Sequence, residues 1–104
     1  MSRGGDSYVY ILYVHIVFFM RPVAWDEHKN RWLKETRGIS FDEIIGQELL
    51  DIIRHPTKEH QCLYVYRYDG YCWIVPCVVE RDRVFLKTIY PSRKFTKRYL
   101  NKEL

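Results

Sequence analysis

Residues 62–79 read CLYVYRYDGYCWIVPCVV, and this stretch carries the strongest structural signal in the sequence. Two runs rich in β-branched and aromatic side chains, 62–68 and 71–79, flank the dipeptide Asp69-Gly70. Asp and Gly readily adopt the left-handed backbone conformations that a two-residue hairpin turn requires. The stretch therefore predicts two antiparallel strands joined by a tight turn.

The turn also predicts the register of the two strands. The numbers of facing residues sum to 139, so Cys62 is expected opposite Cys77 at a hydrogen-bonded pair. Pro76 cannot donate a hydrogen bond to a neighbouring strand, so a bulge or a strand edge is expected there. The chain has three cysteines, and this odd number favours free thiols in a reducing compartment over a secreted disulfide framework.

Two short helices are predicted before the hairpin. Asp26 is a plausible N-cap of the first helix, and Gly38 is its C-terminal stop. Ser40 and Glu43 have the spacing of a capping box at the start of the second helix, which Gly46 should keep short. Four side chains at helical spacing share one face of the first helix: Trp25, His28, Trp32 and Thr36.

Further strands are predicted on both sides of the hairpin. One covers residues 49–54, and a third long strand covers residues 83–90. A short basic helix or tail is expected over residues 94–100. The order is two helices followed by about four antiparallel strands, which predicts an α+β fold with the helices gathered on one face of the sheet.

The hairpin is expected to have one aromatic and one aliphatic face. The aromatic face carries Tyr64, Tyr66, Tyr68, Tyr71 and Trp73, and the aliphatic face carries Leu63, Val65, Cys72 and Ile74. The aliphatic side suits a core beneath the helices, which leaves the aromatic side open or covered by something else. Open aromatic rings could stack unpaired RNA bases, whereas the alternatives are cross-strand pairs within the sheet or a contact with a partner chain.

Composition and charge exclude several classes of protein for this chain. A chain of 104 residues with 47% hydrophobic and 29% charged residues is an ordinary single domain, which excludes multi-domain enzymes and repeat arrays. The net charge is +4, and residues 87–104 hold six Lys and Arg against Glu103, so they carry +5 and the remainder −1. A basic C-terminal edge suits a phosphate backbone, an acidic partner or simply a solvated helix.

An apolar run, YVYILYVHIVFF, covers residues 8–19. Its 12 residues are fewer than the roughly 20 of a membrane-spanning helix, and Arg21-Pro22 follows where a signal peptide would have small residues. Two explanations are open. The run is an extra strand laid on the sheet, or translation starts at Met20 and residues 1–19 are not part of the natural protein.

The motifs of well-marked enzymes are missing from this sequence. It has no Gly-rich phosphate loop, no H-E-x-x-H, no G-x-S-x-G, no C-x-x-C and no Cys/His spacing typical of zinc sites. We therefore expect no metal and no cofactor. Together with the reduced cysteines, the short apolar run predicts a cytoplasmic protein without a membrane anchor.

The sequence does contain the groups that RNA cleavage by protein side chains requires. Attack of the ribose 2′-hydroxyl on the neighbouring phosphate needs a base, an acid and cations for the charge on phosphorus. The catalytic candidates are Arg93, Lys87, Arg67 and His55. The candidates for RNA binding are Lys94, Lys97, Arg98, Tyr64, Tyr66 and Trp73. Taken singly, each is more often structural; for example, His55 before Pro56 could simply cap a turn.

Two segments resemble the BrnT-type toxins. Residues 23–45, VAWDEHKNRWLKETRGISFDEII, are similar to the opening of that family: a short strand ending in W-D, a K-x-N-rich helix and a G-(I/V)-S-F-x-E turn. Residues 83–98, RVFLKTIYPSRKFTKR, resemble its closing strand and the S-x-R-(K/R) segment that follows. Family members usually begin within a few residues of the W-D strand, and this favours Met20 as the natural start.

The resemblance implies a RelE-like fold, with two N-terminal helices on an antiparallel sheet. It implies a type II toxin that inhibits growth by cleaving RNA and is neutralised by a cognate antitoxin with a DNA-binding domain. The family's basic residues around the last strand map onto Arg93, with Lys94 beside it, whereas Lys87 and Arg67 come from the residue pattern alone. This chain departs from the family at Pro91-Ser92, where many members have Ser-Ala.

The expected organisation is an apolar extension, residues 1–19, and a single RelE-like domain, residues 20–104. The leading hypothesis is an endoribonuclease toxin that binds RNA and an antitoxin. The alternatives are a non-catalytic RNA- or protein-binding module that uses the aromatic sheet face, and a small interaction subunit with a basic tail. A dimer and a toxin–antitoxin hetero-oligomer are both compatible with the sequence.

Overall fold

The computed structural model describes residues 21–100, so the expectations for residues 1–19 lie outside the described part of the chain. The fold is α+β. Its elements, in chain order, are β1 (Val23–Ala24), α1 (Glu27–Arg37), α2 (Phe41–Ile44), β2 (Glu48–Arg54), β3 (Gln61–Tyr68), β4 (Tyr71–Val79), β5 (Val84–Leu86), β6 (Tyr90–Pro91) and α3 (Arg93–Tyr99). Between residues 21 and 100 no helix is long and apolar enough to cross a membrane.

The β3–β4 hairpin forms as predicted. Asp69 and Gly70 both have positive φ, at 54° and 72°, which is the backbone conformation that the two-residue turn demands. Cys62 faces Cys77, so the predicted register is confirmed. The hairpin is the central part of the sheet: β2 pairs with β3, and β5 and β6 pair with β4.

The sheet is larger than the four antiparallel strands expected from the sequence. Its order is β1-β5-β4-β3-β2, and β6 pairs with β4. The sheet is also mixed, because β1 runs parallel to β5 while the other pairs are antiparallel. The two-residue strand β1 was too short to be recognised from hydrophobic periodicity.

Pro76 divides the predicted third long strand. The backbone N–H of Lys87 donates to the Pro76 carbonyl at 2.8 Å, but proline has no N–H to return the second bond of that pair. Strand β5 therefore ends at Leu86, and pairing with β4 resumes only in β6 with a register shifted by one residue. A bulge or a strand edge was expected at Pro76, and the pairing is interrupted there on the side of β5 and β6, while the pairing with β3 stays regular. The predicted continuous strand over residues 83–90 is wrong.

The predicted ends of α1 and α2 are confirmed. The Asp26 carboxylate accepts the His28 N–H, Gly38 ends α1 with a φ of 78°, and Ser40 and Glu43 make both bonds of a capping box. The buried side of α1 is not the face that helical spacing in the sequence predicted. Two α1 side chains, Asn30 and Leu33, are buried, whereas Trp32 is 43% exposed.

Asn30 connects α1 to α2. Its Oδ1 accepts the backbone N–H of Phe41 at 2.7 Å. Its Nδ2 donates to Glu27 Oε1 at 3.0 Å and to Asp42 Oδ1 at 3.2 Å. The side chain therefore satisfies an N–H at the start of α2 while holding the first turn of α1 beside it.

Helices α1 and α2 cover the aromatic face of the sheet, whereas the prediction placed the helices on the aliphatic face. Under α1 and α2 lies a cluster that includes Leu33, Phe41, Tyr64, Tyr66 and Val75. The aliphatic side, with its buried Val65, Cys72 and Ile74, packs instead beneath α3. The helices are thus not gathered on one face. Because both faces are covered, the alternation of side chains along β3 and β4 separates two cores instead of a core from solvent.

Acid should weaken the start of α2 through Glu43. The Lys34 ammonium, at 2.8 Å, and the Ser40 N–H and hydroxyl lower the pKa of Glu43 from its ordinary 4.5 to about 2. The ionised carboxylate therefore stabilises the fold above pH 4.5, and this contribution is lost as the pH falls to about 2.

We expect Glu43→Gln to lower the melting temperature at neutral pH but not near pH 2. Thermal unfolding of both proteins across this range tests it, with Glu59→Gln, an exposed turn carboxylate, as control. A difference that is constant with pH would contradict it.

Candidate nucleic-acid interface

Helix α3 begins at a residue that is bonded to the central strand. The Ser92 side chain caps the helix by accepting the N–H of Phe95, while the Ser92 backbone N–H donates to the Cys72 carbonyl at 2.9 Å. The start of α3 is therefore held against β4 close to the hairpin turn. This short basic helix was predicted, and its observed range begins one residue earlier, at Arg93.

The buried side of α3 is held to the sheet by two polar contacts. The Thr96 hydroxyl accepts the backbone N–H of Cys72 at 2.8 Å and donates to the Ser92 carbonyl. At the other end of the helix, the Tyr99 hydroxyl donates to the Asp51 carboxylate on β2, and this bond raises the pKa of Tyr99. Sequence reasoning missed both contacts because their partners are 24 and 48 residues apart.

The outer side of α3 is a basic surface. It consists of four exposed cations: Arg93, Lys94, Lys97 and Arg98. None of them forms an ion pair with a carboxylate of residues 21–100 within 4.0 Å. Lys94 Nζ and Arg98 Cζ lie 5.7 and 5.5 Å from the centroid of the Phe95 ring, so both charged groups are within cation–π distance of an aromatic side chain.

Arg67 lies at the same end of the sheet as the start of α3. It is exposed, it faces Cys72 across the β3–β4 ladder, and its Nε is 3.4 Å from Glu48 Oε1. Cys72 is bonded on its other side to Ser92. Ser92, the residue before Arg93, is therefore about two strand spacings, or about 10 Å, from Arg67.

Lys87 and His55 do not join the two arginines. Lys87 is bonded to Pro76, four residues along β4 from Cys72, or about 13 Å away. His55 lies beyond the first residue of β3, at the opposite end of the sheet and about 20 Å from Arg67. The four catalytic candidates thus do not form one cluster, because Pro76 interrupts the strand and the β2–β3 turn points away from the hairpin turn.

The His55 ring has a structural role in its turn. Its Nδ1 accepts the backbone N–H groups of Thr57 and Lys58 at 3.2 and 3.0 Å. These bonds need Nδ1 to be unprotonated, since a protonated ring nitrogen only donates. The structure therefore separates His55 from Arg67 and Arg93, and the alternative that His55 caps its turn is confirmed.

The aromatic RNA-binding candidates are not on an open surface. Tyr64 and Tyr66 are only 5% and 4% exposed beneath α1 and α2. Burial raises the pKa of Tyr66 to about 12. Trp73 is half-buried and packs edge-on against Tyr68, with ring centroids 5.9 Å apart. Base stacking on Tyr64 and Tyr66 would require α1 and α2 to leave the sheet.

The structure thus brings some of the predicted site residues together and separates others. Arg93, Lys94, Lys97 and Arg98 form a continuous basic surface, and Arg67 lies near its start. Within residues 21–100, no group of three or more His, Cys, Asp and Glu side chains is arranged to hold a metal ion. No protein-family model, curated protein or solved structure matches this chain.

Proposed function

We propose that this protein is a ribonuclease toxin of a type II toxin–antitoxin system, and that α3 binds the RNA backbone. The observation that supports the proposal is the outer side of α3, where four cations are exposed and unpaired with the carboxylates of residues 21–100. A single-sign surface attracts a polyanion, and each neutralised phosphate releases counterions.

The attachment of α3 to the sheet makes this surface suitable for RNA. Ser92 and Thr96 bond to both backbone groups of Cys72, and Tyr99 bonds to Asp51. The helix cannot rotate without breaking these buried or half-buried contacts. The cations therefore project from a rigid platform, so less conformational entropy is lost when RNA binds.

Arg67 and Arg93 are the residues that we assign to phosphate activation. A guanidinium can donate two hydrogen bonds to one phosphate and keeps its charge at every physiological pH. A phosphate between the two arginines would have its developing negative charge stabilised from both sides during attack by the 2′-hydroxyl. The about 10 Å between Arg67 and Ser92, the residue before Arg93, leaves room for a phosphate between two long side chains.

A RelE-like fold of the BrnT type is part of the same proposal. Its support is local: the capped start of α1 at Asp26, the capping box at Ser40 and Glu43, and the Ser92-Arg93 start of α3 all lie within the segments that resemble that family. A cognate antitoxin with an acidic segment would then neutralise the protein by covering α3. We also propose that the protein acts in the cytoplasm, where its RNA substrate is found.

The competing proposal is a binding module without catalysis. In its aromatic-face form it has little support, because Tyr64 and Tyr66 are buried. A module that binds RNA only through α3 is compatible with the same basic surface. Cleavage distinguishes the two, since a binding module would protect RNA instead of degrading it.

Induced expression of the full-length chain in a bacterial host tests the proposal. We expect growth arrest and loss of intact total RNA. The triple variant Lys94→Gln, Lys97→Gln, Arg98→Gln should grow normally, because it removes three of the cations that bind phosphate. The matched control, Arg31→Gln, Lys58→Gln, Arg81→Gln, removes the same charge from exposed positions elsewhere and should remain toxic.

The outcomes separate the alternatives. Arrest with RNA loss in both wild type and control, relieved only in the α3 variant, supports the toxin. Folded and abundant wild-type protein with normal growth and intact RNA would reject a toxin function. Equal toxicity of the two triple variants would reject α3 as the RNA-binding surface.

A further inference from the structure

Two of the three cysteines form a close pair inside the core. Cys62 on β3 and Cys77 on β4 are register partners, and their Sγ atoms are 3.1 Å apart. Both side chains belong to the cluster beneath α1 and α2, where Cys62 is 6% and Cys77 1% exposed. Directly opposite residues of a hydrogen-bonded pair have Cα atoms about 5.5 Å apart, which is within the range that disulfides span.

The third cysteine is excluded from this pair by the topology. Cys72 lies on the opposite face of β4, in the cluster beneath α3. It is five residues, or about 17 Å of strand, from Cys77. The fold therefore selects one of the three pairings that three cysteines allow.

We propose that Cys62 and Cys77 are a redox-active dithiol, which a hydroperoxide oxidises to a disulfide across β3 and β4 in the native protein. The sulfur atoms need to approach by only about 1 Å to reach a disulfide bond length of about 2.05 Å. No strand has to move out of register, and both side chains already lie on the same face. The oxidant is the hydroperoxide, and it accepts the two electrons that the two sulfurs lose.

The oxidation proceeds in two balanced steps. With hydrogen peroxide as the oxidant, the Cys62 thiolate attacks one peroxide oxygen, the O–O bond breaks, and the leaving hydroxide combines with the proton that Cys62 has lost. This gives a sulfenic acid and one water. The Cys77 sulfur then attacks the Cys62 sulfur, the S–O bond breaks, and the hydroxyl leaves as a second water with the Cys77 proton.

The surroundings favour Cys62 as the sulfur that reacts first. The hydrogen bond from the Cys77 thiol, together with the positive charge of Arg54, lowers the pKa of Cys62. The same hydrogen bond and burial raise the pKa of Cys77. Cys62 is also nearer the end of its strand, as the second residue of β3, and is the more exposed of the two. Thiolate character and access both direct the peroxide to Cys62.

The test uses the full-length protein and hydrogen peroxide. After incubation, peroxide is removed, and free thiols are alkylated in denaturant and counted by mass spectrometry. We expect the alkyl groups to fall from three to one, with the remaining group on Cys72 and the protein lighter by two hydrogen atoms. Peptide mapping identifies the Cys62–Cys77 link and separates it from oxidation of the two methionines.

Two variants and one condition make the result decisive. Cys72→Ser should form the disulfide like the wild type, whereas Cys77→Ser should form none and accumulate oxidised Cys62. The same oxidation in denaturant should give a mixture of the three pairings. Three free thiols after native treatment, under conditions that oxidise the denatured chain, would overturn the proposal. A native disulfide that includes Cys72 would also overturn it.

Discussion

Replacing Arg93 with alanine is expected to slow RNA cleavage by the full-length protein by about 100- to 1000-fold. This is the usual effect of removing one preorganised donor from a group on which charge develops in the transition state. Affinity for RNA should fall much less, by about tenfold or below, because Lys94, Lys97 and Arg98 remain on α3. Single-turnover cleavage of a labelled RNA, with binding measured separately at the same salt concentration, distinguishes the two effects.

Two further variants define what Arg93 does. Arg93→Lys should recover only part of the rate, because an ammonium cannot make the paired hydrogen bonds of a guanidinium. Arg81→Ala removes the same charge from the exposed β4–β5 turn and should cleave at the wild-type rate. If Arg93→Ala and Arg81→Ala cleave equally fast, the assignment of Arg93 is wrong. If Arg93→Ala loses binding and cleavage in equal proportion, its role is attachment of the RNA.

Replacing Asn30 with alanine is expected to lower the free energy of unfolding by about 2–3 kcal/mol. The main cause is the Phe41 N–H, which would be left without a partner at a position inaccessible to water. The bonds that Asn30 donates to Glu27 and Asp42 would also be lost. Because these groups join α1 to α2, denaturant unfolding should show a lower midpoint with little change in slope.

The matched variants separate the buried bond from the helix that carries it. Arg31→Ala, at the adjacent exposed position, should change stability by less than about 0.5 kcal/mol. Asn30→Asp keeps an acceptor for Phe41 but places a third carboxylate beside Glu27 and Asp42, so part of its cost should disappear on protonation at low pH. Equal stability of Asn30→Ala and the wild type would show that the bond to Phe41 contributes nothing net.

Local signals predicted the parts of the fold that depend on neighbouring residues. Asp69-Gly70 determines the hairpin register because both residues adopt positive φ, and Ser40 with Glu43 determines the start of α2. Pro76 indicated an interruption of strand pairing, since its missing N–H is a covalent property. The missing N–H of Pro76 also interrupts the predicted strand over residues 83–90. This could not be predicted from the sequence, because it depends on Lys87 lying opposite Pro76 in the sheet.

The assignment of the two sheet faces could not be made from the sequence. Residues on both sides of β3 are apolar or aromatic, so alternation alone does not indicate which side meets which helix. Only the packing of Leu33 and Phe41 against Tyr64 and Tyr66 decides it. The basic surface of α3 could be predicted, because its charges are clustered in one short segment of the sequence. The distance of His55 from that surface could not be predicted, because it depends on the arrangement of the strands.

The parallel pairing of β1 with β5 has a consequence for folding during translation. Val23 pairs with Val84, 61 residues later, whereas the hairpin pairs residues that are close neighbours in sequence. At a synthesis rate of about 5–20 residues per second, Val23 leaves the ribosome about 3–12 seconds before its partner exists. The first strand of the sheet must therefore wait unpaired until almost the whole domain has been translated. Closing this long loop also has the larger entropic cost, so the hairpin should fold early and β1 should dock last.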